Sequence, residues 1–143
     1  MATGADLQAA MVALIRAFGL HHPDRTPCGV AVPVSEAHAL SELADRGAMT
    51  ASELCRVLGL EKSTVSRLVG QLERRGWVVR ERCAEDARRS PMELTAEGRR
   101  MADQLAAARA RRFDALLSRL PEGERAAAVR GVRLLVDAAR DTA

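Results

Sequence analysis

A mainly α-helical chain with one small β-hairpin is the fold class that three features of this 143-residue sequence predict. Apolar residues recur at helical spacing over most of the length. In LEKSTVSRLVGQLERRGW at 60–77, for instance, Val65, Leu68, Val69 and Leu72 make one stripe. The period changes only once, where WVVRERC and PMEL have strand composition and flank the polar loop AEDARRS. Gly47, Gly59, Gly76 and Pro121 stand where helices must stop or start, so six helices are expected.

The first helix runs from Ala5 to about Leu20, with Leu7, Met11, Leu14, Ile15 and Phe18 on one face that needs burial. HHPDRTPCGVAVPV breaks the pattern with three prolines and a glycine. Ser35 starts a second helix that lasts to about Asp45. Thr50 and Glu53 form a T-x-x-E capping box for a short third helix ending near Gly59. The stretch quoted above is the fourth helix. The hairpin follows over roughly twenty residues, and Pro91, which lacks an N–H, confines its return strand to an edge. Thr95 caps a long Ala- and Arg-rich helix to about Arg119. Pro121 opens the last helix at its first turn, with the stripe Val129, Val132, Leu135 and Val136.

Composition bounds the function. The length implies one domain, and 48% hydrophobic residues suffice for a core. A net charge of +3 leans basic. Arg supplies all the basic residues except Lys62, which reflects composition rather than mechanism. The opening MATGADLQAAMVALIRAFGL lacks the basic start and cleavage site of a signal peptide, and no apolar run could span a membrane. Cys28, Cys55 and Cys83 are an odd count without metal-pair spacing, so reduced thiols and a cytoplasmic protein with no membrane partner are expected.

A short capped helix, a glycine turn and a helix with an exposed polar start form a helix-turn-helix, and the hairpin adds a wing. Leu54, Leu58, Leu60, Val65 and Leu68 can fill the angle between the two helices. Cys55 would sit where they cross closely and only a small side chain fits. The face opposite the stripe carries Ser63, Thr64, Ser66, Arg67 and Gln71 rather than the Glu and Lys pairs of an ordinary surface helix. Between Lys62 and Arg89 lie eight basic residues (Lys62, Arg67, Arg74, Arg75, Arg80, Arg82, Arg88, Arg89) against four acidic ones (Glu73, Glu81, Glu85, Asp86). That segment holds more than the whole net charge, as double-stranded DNA would require. Single-strand or RNA binding is disfavoured, because Phe18, Phe113 and Trp77 are the only aromatic residues available for stacking on bases.

With these features in place, the sequence resembles the MarR family of winged helix-turn-helix transcriptional regulators. EKSTVSRLVGQLERRGW is followed by DARRSPMELTAEG, which carries Asp86, Arg88, Leu94, Thr95 and Gly98 at the positions of the wing signature D-x-R-x-x-x-x-x-L-T-x-x-G. One departure is Pro91. The resemblance implies one domain over 1–143, with 1–34 and 99–143 supplying dimerisation helices and 35–98 the DNA-binding part. It implies a homodimer, in which the terminal helices of two subunits interlock. The recognition helix, 61–75, would enter the major groove, and the wing, 80–92, the minor groove. Carried over, Ser63, Thr64, Ser66 and Arg67 read bases or grip phosphates, Arg88 enters the minor groove and Asp86 positions it. Lys62, Gln71, Arg80, Arg82 and Arg89 complete the expected DNA-binding surface.

Regulators of this type commonly sense a small molecule, a metal or an oxidant, and a repressor released by a small ligand is the expectation here. No cofactor is expected. The alternative sensor would be metal- or thiol-responsive and would use His21, His22, Cys28 and His38, with Asp24 and Glu36 nearby. The spacing matches no zinc pattern, and the absence of tyrosine separates this chain from the peroxide-sensing branch of the resembling family. Cys55 reads as packing and Cys83 as a strand residue at the wing base. A different class is a winged helix used as a protein-interaction module without DNA binding. An enzyme is not expected, because no phosphate loop, carboxylate pair or nucleophile elbow appears.

Overall fold

The computed structural model describes residues 1–81 and 89–143. In order along the chain come α1 (Gly4–Phe18), α2 (Val34–Arg46), α3 (Ala51–Leu58), α4 (Lys62–Arg74), β1 (Val78–Arg80), β2 (Met92–Leu94), α5 (Ala96–Ser118) and α6 (Glu122–Asp141). The chain divides into two compact units, Met1–Ala108 and Arg109–Ala143, and each is described by itself.

In the first unit the core lies where α2, α3, α4 and β2 meet. Leu40, Leu43, Leu54, Leu72, Met92, Val65 and Val69 are its largest fully buried side chains. Val65, Leu68, Val69 and Leu72 are all buried, as the helical spacing requires. α3 begins with the expected box: the Thr50 hydroxyl accepts from the Glu53 N–H at 3.2 Å, and the Glu53 carboxylate accepts from the Thr50 N–H at 2.9 Å. Thr50→Ala removes one half of it and should lower unfolding free energy by about 1 kcal/mol. Urea denaturation monitored by circular dichroism reads this directly.

The hairpin pairs Val78 with Leu94, Val79 with Glu93 and Arg80 with Met92 in antiparallel register. One expectation is corrected: the return strand is not an edge. The Met92 N–H donates to the Met49 carbonyl at 2.8 Å, and the Met49 N–H donates to the Met92 carbonyl at 3.0 Å. Met92 is therefore paired on both sides. Pro91 is compatible with this because it precedes the strand, where its carbonyl accepts from the Glu81 N–H and its missing N–H breaks no ladder bond.

Other boundaries shift by a residue. α2 begins at Val34 with Pro33 as its N-cap, so Ser35 lies inside the helix. Pro121 is the N-cap of α6 rather than a residue of its first turn. α1 has a capping box that the sequence reading passed over, in which Thr3 and Asp6 satisfy each other's backbone N–H groups. The Thr3 hydroxyl and N–H hold the Asp6 carboxyl below its usual range, so this cap is complete at neutral pH and is lost on acidification.

No residue of α1 is buried: Leu7, Met11, Leu14 and Ile15 are all exposed in the single chain. In the second unit, Arg125 closes the turn between α5 and α6 by donating to the carbonyls of Leu120 and Ser118. α6 likewise buries none of its residues, leaving Val129, Val132, Leu134, Leu135 and Val136 exposed.

Candidate nucleic-acid interface

The surface is built by the angle between α3 and α4. Gly59 ends α3 in the left-handed region at φ 65°, and a side chain there would meet nothing within 4 Å, so backbone conformation alone calls for glycine. The N–H groups of Gly59 and Leu60 both return to the Cys55 carbonyl, which closes the turn tightly enough to start α4 at Lys62. Leu54, Val65 and Leu68 are buried in the angle, and Leu58 and Leu60 pack at its margin.

With the apolar stripe of α4 wholly committed to the core, its other side projects outward. Lys62, Ser63, Ser66, Arg67 and Gln71 are exposed, and Thr64 is half-buried. Hydroxyl, amide and guanidinium groups at the start of an exposed helix can bond base edges or phosphates. Beside them is an open cavity of about 300 Å³ lined by Ala51, Ser52, Cys55, Lys62, Ser63, Ser66 and Arg80. Cys55 borders this hollow on one side and packs against the core on the other.

The arginines do not form one uniform basic face. Arg75, counted with the basic segment, is committed to a buried carboxylate while its side chain stays 37% exposed: its Nε donates to Glu36 Oε1 at 2.9 Å and its Nη2 to Oε2 at 3.2 Å. Its guanidinium also lies 4.9 Å from the centre of the Trp77 ring. Arg80 is tethered to α4, with Nε 3.3 Å from Glu73 Oε1, although it still lines the cavity. Arg89 is exposed. Arg82, Asp86 and Arg88, and Cys83 with them, lie outside the described residues, so the wing's D-x-R pair has no structural account here.

The structure does not assemble the alternative sensor. Among the described residues no group of three His, Cys, Asp or Glu side chains could hold a metal ion. Thr26 and Val30 bond to each other through backbone and hydroxyl, closing the turn that carries half-buried Cys28. His21 and His22 stack on each other with ring centroids 4.4 Å apart, while His38 is exposed on α2. Glu36, the nearest acidic candidate on that helix, is already held by Arg75. Sequence reading missed this pair, since 39 residues separate its members and nothing local marks either one.

A capped short helix, a left-handed glycine turn, a helix with one buried and one polar face, and a hairpin behind it together define a winged helix-turn-helix protein. The MarR family model matches residues 32–89 of the chain. Among solved structures, the PcaV transcriptional regulator from Streptomyces coelicolor is 26% identical, with TM-score 0.75 over 94% of this chain and 98% of that one. The same regulator with its natural ligand is 28% identical, with TM-score 0.63 over 93% and 88%. The Staphylococcus aureus MepR–DNA complex shares the fold at 21% identity, with TM-score 0.72 over 92% and 96%. No curated protein sequence matches the chain.

Proposed function

We propose that this protein is a homodimeric, DNA-binding transcriptional repressor that grips a pseudo-palindromic operator and is released by a small organic ligand. The observation that carries this reading is α4, whose apolar side is fully buried while Lys62, Ser63, Ser66, Arg67 and Gln71 face outward directly after the capped α3. In this reading α4 enters the major groove, with Thr64 at the margin of the contact. Arg80, Arg82 and Arg89 follow the backbone, and Arg88, positioned by Asp86, enters the minor groove. Residues 35–98 form the DNA-binding part, and the regions 1–34 and 99–143 dimerise. The exposed apolar residues of α1 and α6 support a second copy as partner.

The DNA bound by MepR and the natural ligand bound by PcaV support duplex DNA and a small-molecule effector as partners. A metal or thiol signal is less well supported, for the geometric reasons above. The protein is proposed to act without enzymatic activity or cofactor, in the cytoplasm. Among the described residues no helix is long and apolar enough to cross a membrane.

Selection from random duplex DNA, followed by footprinting, tests the reading. Two protected half-sites about one helical turn apart are expected. Affinity should fall steeply with salt. Absence of duplex binding at low salt would overturn the proposal in favour of a protein-interaction module. Helix and wing should also separate by variant. Arg67→Ala should cost roughly 1–3 kcal/mol at one base position. Arg88→Ala should weaken binding to most duplexes and reduce the log–log salt slope by about one unit, with Asp86→Ala a weak copy of it.

A further inference from the structure

Glu36 is an anomaly that the DNA-binding reading leaves unused. It is a carboxylate on the first turn of α2, only 4% exposed, in a region where every other fully buried large side chain is apolar. A carboxylate loses most of its hydration at such a site and must be matched by a cation and hydrogen bonds. Arg75 supplies both through the two-pronged contact described above. That residue is the C-cap of α4, the first position after its last helical residue. The same guanidinium rests against Trp77, which leads into β1. One side chain therefore ties the end of α4 to the start of α2 and to the root of the hairpin.

We propose that Glu36 and Arg75 are a positioning pair that sets the pose of the recognition helix, with Arg75 directed to Glu36 and not to DNA. The inference rests on the DNA-binding reading above. Its physical basis is the difference between the two contacts that hold α4. The stripe Val65, Leu68, Val69 and Leu72 supplies burial, which is non-directional and tolerates small slides and tilts. A fork of two parallel N–H···O bonds fixes distance and orientation together. It also sits at the far end of the helix from Lys62 and Ser63, with Ser66 and Arg67 about midway. Thirteen residues separate those ends by roughly 20 Å, so a tilt of about 3° at Arg75 moves the reading end by about 1 Å. A displacement of that size is enough to spoil bidentate base contacts while leaving phosphate contacts, which tolerate more movement, largely intact.

The test uses the full-length protein and two fluorescein-labelled duplexes, an operator recovered by selection with the wild type and an unrelated sequence of equal length. Glu36→Gln keeps the volume and removes the charge and one prong of the fork. Arg75→Gln removes the other partner. Each variant should bind the operator about tenfold more weakly, and the double variant no more weakly than the worse single one, as expected for residues in one network. Affinity for the unrelated duplex and the salt slope should stay at wild-type values, a pattern that a purely structural defect does not produce. Thermal melts fix a temperature at which every species is folded. Should Arg75→Gln prove too unstable, Glu36→Gln alone decides. Wild-type operator affinity and specificity in Glu36→Gln overturn the positioning pair, whether or not its melting temperature falls. Loss of about one unit of salt slope in Arg75→Gln, with Glu36→Gln unaffected, also overturns it, by making Arg75 a phosphate contact. Wild-type protein that binds no duplex overturns the DNA-binding reading itself, and the pair's role with it.

Discussion

Gly98→Ala is expected to be the most damaging single methyl group that can be added to this chain. A Cβ at that position would lie 2.0 Å from the Trp77 carbonyl oxygen and 2.8 Å from its carbon, far inside van der Waals contact. The neighbour is backbone, so no side chain can swing away to relieve the clash. It is also held from several directions. The Trp77 carbonyl accepts from the Thr95 N–H at 3.0 Å, and the Trp77 N–H donates to the Leu72 carbonyl at the end of α4. The Thr95 hydroxyl meanwhile donates to the Gly76 carbonyl at 2.6 Å and accepts from the Gly98 N–H at 3.0 Å. Relief would require α5 to move away from the root of the hairpin and break this network. Overpacking alone typically costs 1–3 kcal/mol, and the loss of hydrogen bonds adds to it, so a destabilisation above about 3 kcal/mol is expected. Chemical denaturation should show it, with loss of soluble dimer at physiological temperature. A Gly98→Ala protein with wild-type stability would mean that α5 and the hairpin root are not packed as described.

Leu14→Asp and Val132→Asp are expected to dissociate the dimer and, with it, operator binding. Both residues are about half exposed in the single chain, at 49% and 54%, so neither substitution removes core packing from a protomer. In a dimer that buries α1 and α6, each would place an unpaired carboxylate in a dry interface twice, once per subunit, at a cost of several kcal/mol per ion. Light scattering should therefore report 15.4 kDa for the variants where the wild type reports twice that mass. Helical content by circular dichroism should remain close to wild type. Operator affinity should fall by about 10²–10⁴-fold, because two half-sites are no longer engaged by one linked body. A wild-type mass of 15.4 kDa at micromolar concentration would refute the interface outright.

Much of this architecture was legible because it is written in local periods. The stripe of α4, the Thr50–Glu53 box, the Gly59 turn and the Thr95 cap each depend on residues within a few positions of one another, so spacing alone identifies them. The terminal helices were equally legible as amphipathic, and the structure leaves their apolar faces exposed in the single chain. The Thr3–Asp6 box is equally local.

By itself, then, the sequence determined the order of elements, the buried stripe of α4 and the polar face opposite it, because a helix translates spacing into faces without help from the rest of the chain. Contacts between distant segments were decided only by the tertiary structure. Pairing of Met92 with Met49 turned a supposed edge strand into one bonded on both sides. The fold brings no three of the described His, Cys, Asp and Glu side chains together as a metal site. Arg75 was paired with Glu36 because a buried carboxylate required a cation, and which of the segment's arginines would answer it depended on where the end of α4 meets the start of α2. Charge counted along a chain gives the sign of a surface. Which charges remain on that surface is settled by the desolvation of the groups they fold against.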